Sequence, residues 1–372
     1  MIALSVPMLR GNETRYVTEA IEQEWVSTGG RYIELFEDKL AKYVKVDRAV
    51  STQSGTAALH LALVDAGVCA GDEIIVPTLT FIAAVNPVKY VGAYPIFMDC
   101  DDTLCMDMDK LLKFIETECE LRNGELYNKS SDNRIKAVIV VHVFGNMADM
   151  VSLMDIAAKY NLIVIEDAAE ALGSYSDDGF AGTIGDYGIY SFNGNKIITT
   201  GGGGMVVAKN AKSLTHIKYL STQAKDDEFN FTHNEIGYNY RMTNVQAAIG
   251  LAQLEKLEEF IETKKENYLL YKHLLGDTLL DFREDIRPNY WFYSVKCPQG
   301  TSDIIDSLAK KDIQSRPIWG LVSNQKPYQE CMKYEIEKAT LYQKLIINVP
   351  CSSNLTKMQV RKVVRVLRKA ME

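Results

Sequence analysis

Three short stretches place polar, reactive side chains where apolar runs end. Leu162-Ile163-Val164-Ile165-Glu166 stops at Asp167, and Tyr187–Ser191 runs through Phe192-Asn193-Gly194-Asn195 into Lys196. Upstream, Ser54-Gly55-Thr56 opens a helical pattern directly. Ligands of open α/β sheets gather at the carboxyl ends of strands, so these positions are candidates for chemistry. Alone, each has an ordinary reading. Ser54 or Thr56 reads as a plain N-cap, Asp167 as a turn carboxylate, and Lys196 as a surface lysine.

Together they match a narrower need. A helix start leaves backbone N–H groups unpaired and carries about half a positive charge, which suits a phosphate. Gly55 lets the backbone approach closely and Thr56 adds a hydroxyl. A lysine on a polar loop with a central glycine can bond an aldehyde and later carry protons. A carboxylate can keep a pyridine nitrogen protonated, so that the ring accepts electrons from a carbanion. Phe81 offers a flat apolar surface. Pyridoxal 5′-phosphate (PLP) needs one of each.

The elements that must position these residues read as α/β. Apolar runs at 74–77, 94–98, 137–143, 162–166, 187–191 and 205–208 alternate with helical patterns at 56–66, 82–91, 106–118 and 150–160. Several runs are apolar on consecutive positions, as in strands of a mostly parallel sheet buried on both faces. The polar stretch 118–134 reads as a surface excursion. Residues 244–275 form a long helical stretch with a break, followed by a strand at 290–296, a helix at 302–311 and a basic helix at 357–371. The domain boundary is placed near Leu254, giving 1–253 and 254–372.

Composition limits the partners. A chain of 372 residues favours two domains. A net charge of -8 argues against general affinity for nucleic acid or anionic membrane. The seven cysteines are scattered without a CxxC, which points to free thiols rather than disulfides or zinc. No signal-peptide pattern follows Met1, and no apolar run reaches the ~18 residues of a membrane span, so the expected location is cytoplasmic.

Ile165-Glu166-Asp167-Ala168-Ala169-Glu170, Ser191-Phe192-Asn193-Gly194-Asn195-Lys196 and the 201–204 glycines with Met205 resemble the nucleotide-sugar aminotransferases of the DegT/DnrJ/EryC1/StrS family. So do Trp25-Val26-Ser27-Thr28-Gly29-Gly30, Ser54-Gly55-Thr56-Ala57-Ala58-Leu59, Thr78-Leu79-Thr80-Phe81 and Gly237-Tyr238-Asn239-Tyr240-Arg241-Met242. The likeness runs from about Pro7 to the C-terminus. It implies the aspartate-aminotransferase fold, PLP fold type I: a large domain with a mostly parallel seven-stranded sheet, and a smaller C-terminal α+β domain. Lys196 would carry the cofactor and Asp167 would pair with its pyridine nitrogen. Glu170 would lie near the ring and its phenolic oxygen, and Phe81 would stack on the ring. Gly55, Thr56, Ala57 and Ser191 would hold the phosphate. Asn239 would reach it from the neighbouring subunit of a homodimer. Thr28, Gly29, His142, Asn193, Arg241 and Arg316 are candidates for substrate contacts. For His142 the structural reading, a satisfied histidine, is the favoured one, and Arg241 reads equally as an ordinary salt-bridge partner. The 201–204 glycines precede a strand, so they are no dinucleotide fingerprint; a tight turn under the cofactor is expected.

The resemblance implies amino transfer from L-glutamate, through pyridoxamine phosphate, to a nucleotide-linked 4-keto-sugar. Ser191–Met205 with Asn193 is most similar to enzymes of the bacillosamine and legionaminic acid pathways, which act on UDP-linked 2-acetamido-2,6-dideoxy-4-keto-hexose. The 118–134 excursion is similar to the legionaminic type. Residues 11–36 are similar to GDP-perosamine synthases too. A sugar dehydratase on the same fold would carry histidine in place of Lys196, and a non-catalytic relative would lack the set Asp167, Lys196 and Thr56.

Overall fold

The computed structural model describes residues 1–227 and 229–372. Its main sheet runs in the order Val50–Thr52, Gly204–Ala208, Tyr187–Ser191, Ile163–Asp167, Arg134–Val141, Glu73–Pro77, Tyr94–Met98 and Lys333–Tyr334. Along this order pairing is parallel from Tyr187–Ser191 through to Lys333–Tyr334, and antiparallel where Gly204–Ala208 joins its two neighbours. The strands are short β-branched runs buried on both faces, with Ile74, Ile75, Val76, Val138, Ile139, Val140, Val164 and Ile165 all at 0% exposure. The helix Gly55–Asp65 is apolar nearly all round and packs against the strands Tyr187–Ser191 and Gly204–Ala208. Helices of this kind are held by burial on all sides rather than by a single apolar stripe.

The sheet is wider than the expected seven strands: ten strands join it. Two of the extra ones come from the polar stretch 118–134. Cys119–Arg122 and Glu125–Asn128 form a hairpin, and its second arm pairs Leu126 with Ile135 and Tyr127 with Arg134. The turn is Asn123-Gly124, both left-handed at φ 52° and 84°. That dipeptide suits a two-residue hairpin turn, whose twist matches the flanking strands. Leu126 and Asn128 point inward, and Asn128 Nδ2 donates to Glu73 Oε2 at 2.9 Å.

Other boundaries move for local reasons. The expected helix 82–91 is split into a 3-10 turn, Ile82–Ala84, and a short helix, Asn86–Tyr90, because Pro87 lacks an N–H and fits only in a first turn. The strand expected to reach 143 stops at Val141, where the chain turns through Phe144 at φ 58°. The strand expected from 290 begins at Tyr293, since Tyr290 is left-handed at φ 57°.

The long helical stretch breaks after Leu254 and resumes as Leu257–Leu275. Beyond the break a second sheet forms in the order Tyr293–Lys296, Ile346–Val349, Arg316–Pro317. The division at 254 is crossed twice. Ile2 bridges to Ile313 beside the second sheet, and Lys333–Tyr334 joins the edge of the first. No helix among the described residues is long and apolar enough to cross a membrane.

Candidate active site

The carboxyl ends of the parallel strands, together with the loop Lys196 sits on, bring the reactive residues into one cleft. Asp167 ends the strand Ile163–Asp167 and lies deep in the protein, with surface open to the cleft. Its Oδ1 accepts from Ala169 N at 3.0 Å, and Oδ2 takes no hydrogen bond among the described residues. Burial pushes its pKa above the usual carboxylate value, against the backbone bond from Ala169 and the charge of Lys196. A carboxylate with a bare oxygen in such a place is poised to meet a cation.

Glu170 lies one helical turn on, 4% exposed. Its Oε2 accepts from Phe144 N at 3.0 Å, and its Oε1 stands 3.5 Å from Lys196 Nζ. Burial raises its pKa from 4.5 to about 7 despite the pull of Lys196. The Phe144 N–H that serves it comes from a bulky residue held left-handed, a conformation that costs about 1–3 kcal/mol and collects at functional sites.

Lys196 follows the turn that closes with Lys196 N donating to Asn193 O at 3.0 Å. The loop is not free to swing as its polar sequence suggests. Asn195 O accepts from Trp291 Nε1 at 2.8 Å and from Ser5 Oγ at 3.3 Å. The lysine side chain, not its loop, is therefore the moving part.

The helix start forms the anion cradle. Ser54 is the N-cap and accepts from Ala57 N at 3.1 Å. This corrects one expectation: the Ala57 N–H is spent on the cap, so Gly55 and Thr56 supply the free donors. A Cβ on Gly55 would stand 3.0 Å from Ser191 Cβ, which brings the Ser191 hydroxyl to the same cradle. A Cβ on Gly204 would stand 2.5 Å from Gly55 N, so the glycine turn at 201–204 packs directly under the helix start. Phe81 lies just past the carboxyl end of the strand Glu73–Pro77 and is 54% exposed.

His142 is not a substrate contact. It is 0% exposed, its Nε2 bonds Glu166 Oε2 at 2.8 Å, and its Nδ1 accepts from Ala148 N at 3.2 Å. The acceptor at Nδ1 places the proton on Nε2, facing the carboxylate. Glu166 also accepts from the backbone of Gly182, Ile184 and Gly185, so the pair is a strut under the site. Thr28 and Gly29 are half-buried on a loop that Asn244 ties down, donating to Trp25 O at 2.7 Å and accepting from Tyr32 N at 3.0 Å. Asn193, Asn239 and Arg316 are exposed, and no hydrogen bond joins their side chains to the catalytic pair among the described residues. Arg241 is half-buried, with its Nε unbonded among the described residues. Sequence reasoning passed over Asn289, Lys264 and Phe144, all of which brace the site; left-handed Phe144 carried no signal in its residue type.

A bare carboxylate oxygen, a lysine amine, unpaired N–H groups at a helix start and an open aromatic face fit PLP group by group. Fold and site together define a PLP-dependent aminotransferase of fold type I. The chain matches the DegT/DnrJ/EryC1/StrS aminotransferase family over residues 7–368, and it belongs to that family. It is 40% identical to a GDP-perosamine synthase of Escherichia coli O157:H7, over 88% of this chain and 87% of the relative. It is 32% identical to the UDP-4-amino-4,6-dideoxy-N-acetyl-beta-L-altrosamine transaminase of Campylobacter jejuni, over 80% of this chain and 72% of the relative. The solved aminotransferase TlmJ from Streptoalloteichus hindustanus shares the fold at a TM-score of 0.89 and 25% identity, covering 100% of this chain and 99% of that one. The chain is thus a sugar aminotransferase that uses PLP.

Two consequences can be measured. Gly204→Ala pushes a methyl group into the backbone of the cradle, so PLP affinity falls about tenfold or more, with about 1–3 kcal/mol of stability lost to overpacking. Equilibrium dialysis and urea unfolding check both. Glu170 makes the cofactor-free protein sensitive to pH. Its folded pKa of about 7 lies above its ordinary 4.5, so its stability contribution is full below pH 4.5 and is lost as pH rises through 7. That amounts to about 3 kcal/mol. Relative to the unmodified protein, Glu170→Gln should therefore gain about 3 kcal/mol between pH 4.5 and pH 8 in urea titrations.

Proposed function

We propose that the protein transfers an amino group from L-glutamate to C4 of UDP-linked 2-acetamido-2,6-dideoxy-4-keto-hexose, acting as a homodimer. The observation that carries amino transfer is Lys196 Nζ at 3.5 Å from Glu170, three residues beyond Asp167 at the end of its strand. PLP, when bound, supplies an electron sink that lets an amino group pass between a carbon and the cofactor.

The chain's own groups do the rest. Asp167 Oδ2 would hold the proton on the pyridine nitrogen, with Glu170 near the phenolic oxygen. Gly55 N–H, Thr56 N–H and Ser191 Oγ would bind the phosphate, and Phe81 would cover one face of the ring. Lys196 Nζ would take the proton from the cofactor's C4′ carbon and deliver it to C4 of the sugar. Asn239 of the partner subunit would reach toward the phosphate. The present Lys196 stands against a dehydratase, and the complete set Asp167, Lys196 and Thr56 against a non-catalytic relative.

The UDP reading is supported by Asn193 within Ser191–Met205 and by the hairpin at 118–134. A GDP-linked 4-keto-6-deoxy sugar is the second reading, favoured by the E. coli relative's name. Glutamate should bleach the visible band of the bound cofactor and release 2-oxoglutarate. UDP- and GDP-linked 4-keto-sugars, supplied side by side, should then give a faster amine product from the UDP sugar. Faster turnover of the GDP sugar transfers the assignment to the second reading.

A further inference from the structure

Trp291 lies in the turn that enters the second sheet and is 3% exposed. Four contacts hold it. Its backbone N–H donates to Asn289 Oδ1 at 2.9 Å, and its carbonyl accepts from Lys264 Nζ at 3.1 Å. Its indole Nε1 donates to Asn195 O at 2.8 Å. Its ring face meets Lys196 Nζ, 4.3 Å from the centroid. Asn289, itself 0% exposed, donates Nδ2 to Glu170 O at 3.0 Å and to Leu172 O at 2.9 Å. One buried amide therefore fixes both neighbours of the lysine amine, the indole and the Glu170 backbone. Gly145 makes room for it: a Cβ there would stand 2.0 Å from Asn289 Oδ1.

Lys264 reinforces the same point. It is 3% exposed and gives its amine to the carbonyls of Trp291 and Cys351, with no carboxylate partner among the described residues. Burial lowers its pKa. Filling space does not require a buried amine, which is costly to desolvate; fixing one backbone carbonyl does.

We propose that Trp291 is a positioning residue for the reacting amine: its indole N–H fixes the lysine loop at Asn195, and its ring face confines Lys196 Nζ against Glu170. The inference deepens the aminotransferase reading and rests on Lys196 being the lysine that carries the cofactor. A side chain with four rotatable bonds loses freedom between a carboxylate on one side and an aromatic face on the other. An amine confined between them would stay near the reacting carbon once released. The C-terminal part of the chain thus sets the reach of an amine mounted on the first sheet.

The test compares the unmodified protein with Trp291→Phe and Trp291→Leu. In cofactor-stripped protein, limiting acetic anhydride followed by peptide mass analysis reads how fast Lys196 is acylated. Trp291→Leu should acylate Lys196 roughly tenfold faster, the size of a desolvated cation–π contact, with Trp291→Phe in between. In the holoenzyme, the glutamate-driven loss of the visible band should slow roughly tenfold in Trp291→Leu. The glutamate concentration for half-maximal rate should stay unchanged. Equal acylation of Lys196 in Trp291→Leu and the unmodified protein overturns the proposal, as does a change in half-saturation alone. If circular dichroism shows Trp291→Leu unfolded, Trp291→Phe decides, and acylation equal to the unmodified protein overturns the proposal. Acylation uses no sugar and no glutamate, so failure on every nucleotide sugar sinks the substrate reading and leaves this one standing.

Discussion

Lys196→Ala leaves a folded protein whose amino transfer is reduced by about 10⁴-fold or more, the upper end of what a positioned proton-transfer group contributes. The fold survives because the lysine loop is pinned by its own backbone. Asn195 O keeps its bonds to Trp291 and Ser5, and the turn at Asn193 O is unaffected. What goes is the amine beside Glu170, proposed above to carry the cofactor. Lys196→Arg keeps the charge against Trp291 and Glu170 but offers no amine that can bond an aldehyde. It should be equally inactive. Initial rates of 2-oxoglutarate release, with thermal melts as control, check both variants; activity within tenfold of the unmodified protein in either contradicts the assignment.

Asp167→Asn is the second large effect. The amide is the same size and can still accept from Ala169 N, so the strand end keeps its shape. The negative charge is lost, and with it the group proposed to hold the pyridine nitrogen protonated. Burial already raises the Asp167 pKa, so the site invests in a carboxylate that is stabilised only when a cation arrives. Turnover should fall roughly 10²–10³-fold, the scale of removing one preorganised charge-stabilising group. Cofactor affinity should fall by less, because the cradle at Gly55, Thr56 and Ser191 is untouched. Stopped-flow absorbance after glutamate addition separates the two effects.

The candidate residues that the structure brings together were legible because they break apolar runs. Asp167 and Lys196 stand where strand-forming residues give way to polar ones, and Ser54-Gly55-Thr56 opens a helix with no intervening loop. The parallel strands were legible from consecutive β-branched residues, and the helix Met150–Tyr160 from its apolar spacing. The hairpin at 118–134 was hidden by its polarity, although Asn123-Gly124 marked its turn. An added edge strand needs only one inward face, so Leu126 and Asn128 suffice and the remainder stays hydrophilic. The structural reading of His142 could not be fixed from its residue type, which does not show whether both ring nitrogens are satisfied. The brace of Asn289, Lys264 and Trp291 depends on contacts between residues far apart in sequence, and no local pattern encodes it.

Borohydride reduction of the PLP-loaded protein, followed by peptide mapping, tests the account most directly. Reduction makes the lysine–cofactor bond permanent, so the phosphopyridoxyl mass marks the residue that carried it. The account predicts that mass on the peptide containing Lys196, at one per chain, and none in Lys196→Arg. The label on Lys264 or any other lysine, or no label on a protein that holds PLP, contradicts it.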